Sequence, residues 1–219
     1  MNLPNKITLS RIFLIPVFVA VFFLTVIPYN YFISCIIFIV AACTDFIDGH
    51  IARKYNLVTN LGKFLDPIAD KVLVSSALIC MLVKPGVFSV MWQGDWVMIV
   101  SGLCVAVILA RELIVSGFRM VAASTGLVLA ADKVGKVKTT FQDIAIAMLL
   151  AGANFFGLAT VGKVFNVIGL VCLVIATVLT IWAGAGYIVK DRKVLSAPVE
   201  KKSEKTQEEN KEESGGESV

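Results

Sequence analysis

The sequence predicts an all-α protein, polytopic in the membrane, with six transmembrane helices. Of its 219 residues 58% are hydrophobic and only 16% charged, with mean hydropathy +0.85, far outside the soluble globular range. The stretch before the charged tail holds repeated apolar runs of about twenty residues, each enough to cross a ~30 Å hydrocarbon core. Turn formers break these runs at Pro28, Lys84-Pro85-Gly86 and Gly157. Tyr29, Tyr31, Trp92, Trp96 and Tyr187 fall near the predicted ends, as interfacial aromatics do.

The first span is read as Ser10–Ile27. Lys6 and Arg11 precede its apolar core, and no small-residue cleavage pattern follows, so it reads as a retained helix and not a removed signal. The second is Tyr31–Arg53. The third is expected to begin close to Asp66, because Pro67 suits a first helical turn, and to run to Val83. Trp96–Met120, Lys136–Phe156 and Gly162–Val189 complete the set. Lys6, Arg11, Arg53, Lys54, Lys63, Arg119, Lys133, Lys136, Lys138, Lys190, Arg192 and Lys193 lie at one set of ends. The opposite loops hold Lys84 and Lys163. Both termini are therefore expected in the cytoplasm of a multi-pass plasma-membrane protein. Residues 1–195 read as one membrane domain and 196–219 as a disordered charged tail. From Val199 on there are four Lys and seven Glu, a net of −3, so the chain's total of +4 leaves +7 on the body. A basic body suits anionic headgroups and phosphate-bearing substrates, and nothing in the pattern points to nucleic acid.

Several chemistries are excluded. Cys35, Cys43, Cys80, Cys104 and Cys172 are scattered through apolar segments without metal-type spacing. His50 is the only histidine and reads as incidental beside Asp48, so a multi-histidine zinc site is ruled out and a Ser-His-Asp triad is not expected. No internal repeat supports a two-halved transporter.

The informative stretch is residues 44–70, TDFIDGHIARKYNLVTNLGKFLDPIAD. It places Asp45, Asp48, Asp66 and Asp70 at the ends of two apolar segments. A carboxylate at membrane depth costs roughly 2.5–3.5 kcal/mol on the insertion scale. A lone one is as readily a helix–helix hydrogen bond; four need compensating charge. Asp45 and Asp48 are three apart and Asp66 and Asp70 four apart, so each pair shares a helix face. A short hairpin over 53–62 brings the pairs together at the cytoplasmic end. Oxygen-only ligands in two facing pairs describe a Mg²⁺ or Mn²⁺ site with room for two ions. Gly49 removes a side chain where a ligand or a helix can approach.

Asp45, Asp48-Gly49, Ala52-Arg53, eight intervening residues, Gly62, Asp66 and Asp70 match every position of a long signature. On these residues the chain resembles the CDP-alcohol phosphotransferase family. The resemblance implies a six-helix membrane enzyme, homodimeric, that uses divalent metal to displace CMP from a CDP-linked substrate with an alcohol. It implies Asp45, Asp48 and Asp66 as metal ligands, with Asp70 as general base on or near a metal. Gly49, Ala52, Arg53 and Gly62 would line the CDP-linked donor. Arg53 also reads as a cytoplasmic anchor and Gly62 as a plain turn.

Two further clusters bear on the acceptor. RELIVSGFR carries Arg111, Glu112 and Arg119, and GKVKTTFQ carries Lys136, Lys138, Thr139 and Gln142. Arg111, Arg119, Lys136 and Lys138 can converge on one phosphate, and four cations disfavour choline or ethanolamine. The plainer alternatives are an interhelical salt bridge from Arg111 to Glu112 or Asp143, and juxtamembrane charge at the lysines. With the opening LPNKITLSRIFLIP, these stretches resemble the bacterial phosphatidylglycerophosphate synthase branch of the family. That branch implies glycerol 3-phosphate as acceptor and CDP-diacylglycerol as donor, with Asn5, Thr8 and Arg11 near the nucleotide. An amphipathic helix start explains the same three residues. The competing readings are another acceptor (inositol phosphate, serine or phosphatidylglycerol), an ion-coupled transporter, or a catalytically dead scaffold. A transporter predicts carboxylates near the bilayer middle on separate broken spans, and a scaffold predicts their partial loss; neither pattern is present.

Overall fold

The structure, a computed structural model, describes residues 3–54, 60–91, 94–124, 133–155 and 158–190, with side chains placed over 9–44, 68–91, 94–118, 135–155 and 158–184. The described residues form six α-helices and one 3₁₀ turn, with no strand among them. The helices are α1 Leu3–Phe23, α2 Asn30–Lys54, α3 Asn60–Val83, α4 Asp95–Ser124, α5 Lys133–Ala153 and α6 Ala159–Lys190. The 3₁₀ turn, Pro85–Val87, opens the α3–α4 connection. The all-α expectation and the six helical segments agree with this.

Among the boundaries that differ from the expected spans, which include both ends of α5 and the end of α4, two have a clear physical reason. Helix α1 stops at Phe23, not Ile27, because the chain from Leu24 winds into turns. The Thr25 amide donates to the Phe23 carbonyl at 2.9 Å and the Ile27 amide to the Leu24 carbonyl at 3.1 Å. Tyr29 then adopts φ 58°, a left-handed conformation costly for a bulky residue. The buried Asn30 amide offsets part of that cost by donating to the Phe22 carbonyl at 2.8 Å, satisfying the α1 C-terminus.

Helix α3 begins at Asn60, six residues before Asp66, so Pro67 and Gly62 both lie inside it. The expectation of a helix start at Pro67 and a loop at Gly62 is corrected. A proline inside a helix withdraws the donor for the carbonyl four residues earlier. At the polar end of a helix water can meet that carbonyl, so the break is not forced. Helix α1 likewise carries Pro16 internally.

The core gathers Phe18, Phe22, Phe38, Leu73, Leu78, Met81, Ile108, Ile146 and Leu149 from α1 to α5, with Phe88 from the end of the 3₁₀ turn. The most extensive helix pairing is α5 against α6, and glycine makes it possible. A Cβ on Gly152 would lie 2.8 Å from the Gly162 carbonyl oxygen, and one on Gly169 2.7 Å from Leu149 Cγ. Close backbone approach at small residues is how helices associate in lipid, where burial of apolar surface gives no advantage.

The outside is apolar as well. Phe13 (68% exposed), Leu113 (74%) and Trp182 (74%) face outward, as a hydrocarbon environment favours. Among the described residues, Asp95–Phe118 and Ala159–Gly184 are long and apolar enough to cross a membrane, while Leu9–Phe23 and Asn30–Thr44 are shorter apolar segments.

Candidate active site at the α2–α3 ends

Helices α2 and α3 are consecutive and separated by five residues, so the C-terminal end of α2 and the N-terminal end of α3 lie close in sequence. Asp45, Asp48, Gly49, Ala52 and Arg53 all fall in the last ten residues of α2, and Gly62, Asp66 and Asp70 in the first eleven of α3. At 1.5 Å rise per residue, Asp48 and Asp66 each sit about 9 Å from the end of their helix. Asp45 and Asp70 sit about 14–15 Å in. Counted along their helices, the two pairs thus stand at similar distances from the adjoining ends. Aspartates supply hard, oxygen-only donors of the kind divalent metals take.

Asp70 is half-buried between the buried Ala69 and Leu73. The side chains of Asp45, Asp48, Ala52, Arg53 and Asp66, and those of Asn5 and Thr8 on α1, lie outside the described residues, as do the surroundings of Gly49 and Gly62. Among the described residues no group of three acidic, Cys or His side chains is assembled. Arg11 is described and fully buried on α1.

The second cluster is built by α4, α5 and α6. Glu112 on α4 and Lys138 on α5 form an ion pair, with Lys138 Nζ 2.6 Å from Glu112 Oε1. Gln142, one turn further along α5, donates from Nε2 to the same oxygen at 3.3 Å. Lys138 and Gln142 are each 1% exposed. A buried ammonium is tolerable only when paired and hydrogen-bonded, and Glu112 meets that need. Ser116 Oγ bonds back to the Glu112 carbonyl, tying the same stretch of α4.

Arg111 projects about 100° round α4 from Glu112. Its stem lies against α6, where a Cβ on Gly184 would come within 3.3 Å of Arg111 Cγ. Lys136 is exposed at the start of α5, and its carbonyl accepts from Thr139 Oγ1 at 2.8 Å. Arg119 is in the penultimate turn of α4, its side chain outside the described residues. The described geometry thus gathers Lys138, Glu112 and Gln142, sets Arg111 in the α4–α6 seam, and leaves Lys136 on the surface. The Glu112–Lys138 bond was absent from the sequence reading. Its only trace there is the i, i+4 spacing of Lys138 and Gln142 on one face.

Comparison with known proteins bears on both clusters. A profile of the CDP-alcohol phosphatidyltransferase family matches residues 1–185. The chain is 46% identical over 160 residues to a Bacillus subtilis protein named CDP-diacylglycerol–glycerol-3-phosphate 3-phosphatidyltransferase, covering 68% of this chain and 76% of that one. Proteins of the same name from Rickettsia felis and Shigella flexneri serotype 5b are 36% and 40% identical over 189 residues, covering 85% of this chain and 93% of each. The match spans both the carboxylate helices and the α4–α5 cluster, and on it the chain belongs to the CDP-alcohol phosphatidyltransferase family.

Proposed function

We infer that the protein is a membrane-bound CDP-diacylglycerol–glycerol-3-phosphate 3-phosphatidyltransferase. It transfers the phosphatidyl group of CDP-diacylglycerol to sn-glycerol 3-phosphate, giving phosphatidylglycerol phosphate and CMP. The observation that carries this reading is the placing of four aspartates in the last ten residues of α2 and the first eleven of α3, in a chain whose relatives carry that activity in their names.

Asp45, Asp48, Asp66 and Asp70 would hold the divalent metal, Mg²⁺ or Mn²⁺, as two ions. When bound, such ions neutralise the pyrophosphate and favour departure of CMP. The chain does the rest. Asn5, Thr8, Gly49, Ala52, Arg53 and Gly62 bind the donor at the cytoplasmic end, and its acyl chains pass between apolar helices without leaving the bilayer. Arg111, Arg119, Lys136 and Lys138 hold the acceptor phosphate. Asp70 takes the proton of the glycerol C1 hydroxyl as that oxygen bonds to the phosphorus bearing diacylglycerol, and the bond from that phosphorus to CMP breaks. Asp70 acts mainly through its placement against that hydroxyl.

This reading includes six spans in the plasma membrane, a homodimer, both termini in the cytoplasm, a catalytic domain over 1–195 and a solvated tail over 196–219. The positive-inside distribution supports the orientation. The test is an acceptor screen: purified protein, CDP-diacylglycerol and Mg²⁺, with CMP release followed against glycerol 3-phosphate, inositol phosphate, serine and phosphatidylglycerol. Turnover with glycerol 3-phosphate at least 100-fold above the others is expected. A preference for any other acceptor overturns the assignment within the family.

A further inference from the structure

We propose that Glu112 is a positioning residue of the acceptor site. It fixes the Lys138 ammonium and orients the Gln142 amide, leaving a donor for the acceptor's phosphate and an acceptor for its hydroxyl. The inference rests on the function proposed above and names a residue that the carboxylate signature and the cationic cluster both omit.

Glu112 Oε1 accepts from Lys138 Nζ at 2.6 Å and from Gln142 Nε2 at 3.3 Å. An ionised carboxylate only accepts hydrogen bonds. Gln142 must therefore turn its amino side to Glu112, and its carbonyl side is forced the other way. Oε1 of Gln142 is buried with no hydrogen-bond partner among the described residues. An orphaned buried acceptor is unfavourable, a cost a substrate hydroxyl would remove. Lys138 has three donors, and the bond to Glu112 uses one. The ammonium is thus held in place with capacity left for a phosphate oxygen.

This pattern, one cationic donor beside one neutral acceptor, matches a small molecule carrying both phosphate and hydroxyl. It discriminates because a site built to bond a hydroxyl rejects analogues that lack one. Glu112 touches neither partner of the reaction and acts through Lys138 and Gln142.

The experiment uses the full chain in nanodiscs, with CMP release measured while each substrate is varied in turn. Glu112→Gln is expected to raise the KM for glycerol 3-phosphate at least ten-fold and to leave the KM for CDP-diacylglycerol within two-fold. Adding Glu112→Gln to Lys138→Met should cause no further rise in that KM, because the lost function is shared. Gln142→Leu should move the same KM alone. If Glu112→Gln does not fold, as size exclusion would reveal, Glu112→Asp and Gln142→Leu carry the test on the same KM split. An unchanged acceptor KM, or equal changes in both KM values, overturns the inference while leaving the function intact. Wild-type protein that releases no CMP with glycerol 3-phosphate overturns the function and the inference together.

Discussion

At the residue scale the chemistry divides between carboxylates and cations. In the proposed reaction Asp48 and Asp66 serve the metal site, where a neutral amide cannot replace a carboxylate. Asp48→Asn is expected to lower CMP release by at least 10³-fold, with a melting temperature within a few degrees of wild type. Near-normal turnover in Mg²⁺ would remove Asp48 from the metal site. Arg119→Ala should raise the KM for glycerol 3-phosphate at least ten-fold, and the KM for CDP-diacylglycerol much less. Equal shifts would place Arg119 outside the acceptor pocket. The aspartates were legible because i, i+3 and i, i+4 spacing fixes a shared face without tertiary information. The Glu112–Lys138 pair was not, since its partners are 26 residues apart on different helices and only packing decides which charges meet.

At the element scale, helices are held together by close backbone approach and by a few polar tethers. Asn166 on α6 is fully buried, donates to the Val87 carbonyl at 2.8 Å and accepts from the Met91 amide at 3.3 Å. It fastens the α3–α4 connection to α6. Asn166→Ala would take away the donor to the buried Val87 carbonyl and is expected to destabilise the fold by about 1–3 kcal/mol, read as a lower melting temperature. Gly152→Val should also destabilise, because its side chain would enter the Gly162 backbone; overpacking of this kind costs about 1–3 kcal/mol or more. Wild-type stability in Gly152→Val would mean that α5 and α6 are not pressed together there. Element existence was legible from apolar runs. The onset of α3 was not, because the rule that keeps proline in a first turn weakens where the freed carbonyl lies near water. The turn at Tyr29 was equally hidden, since its left-handed φ depends on the Asn30 cap and not on a glycine.

At the scale of the whole molecule, charge and hydropathy organise the chain. Its apolar exterior and basic ends fit a membrane-bound enzyme, and the Lys/Glu stretch from Val199 stands apart in composition. Truncation after Pro198 is expected to leave specific activity within two-fold. A truncated protein that inserts but has no activity would give the tail a role in catalysis. The reaction class was legible from one 27-residue stretch, while the acceptor needed α4 and α5 as well and depends on how their charges pair. The most direct measurement is product analysis by mass spectrometry. Purified wild type and Asp66→Asn are incubated with CDP-diacylglycerol, glycerol 3-phosphate and Mg²⁺, with and without a chelator. Phosphatidylglycerol phosphate and CMP should appear in equal amounts with wild type and Mg²⁺, and neither should form with chelator or with Asp66→Asn. Equal product from the variant, or CMP released without the phospholipid product, would contradict the account.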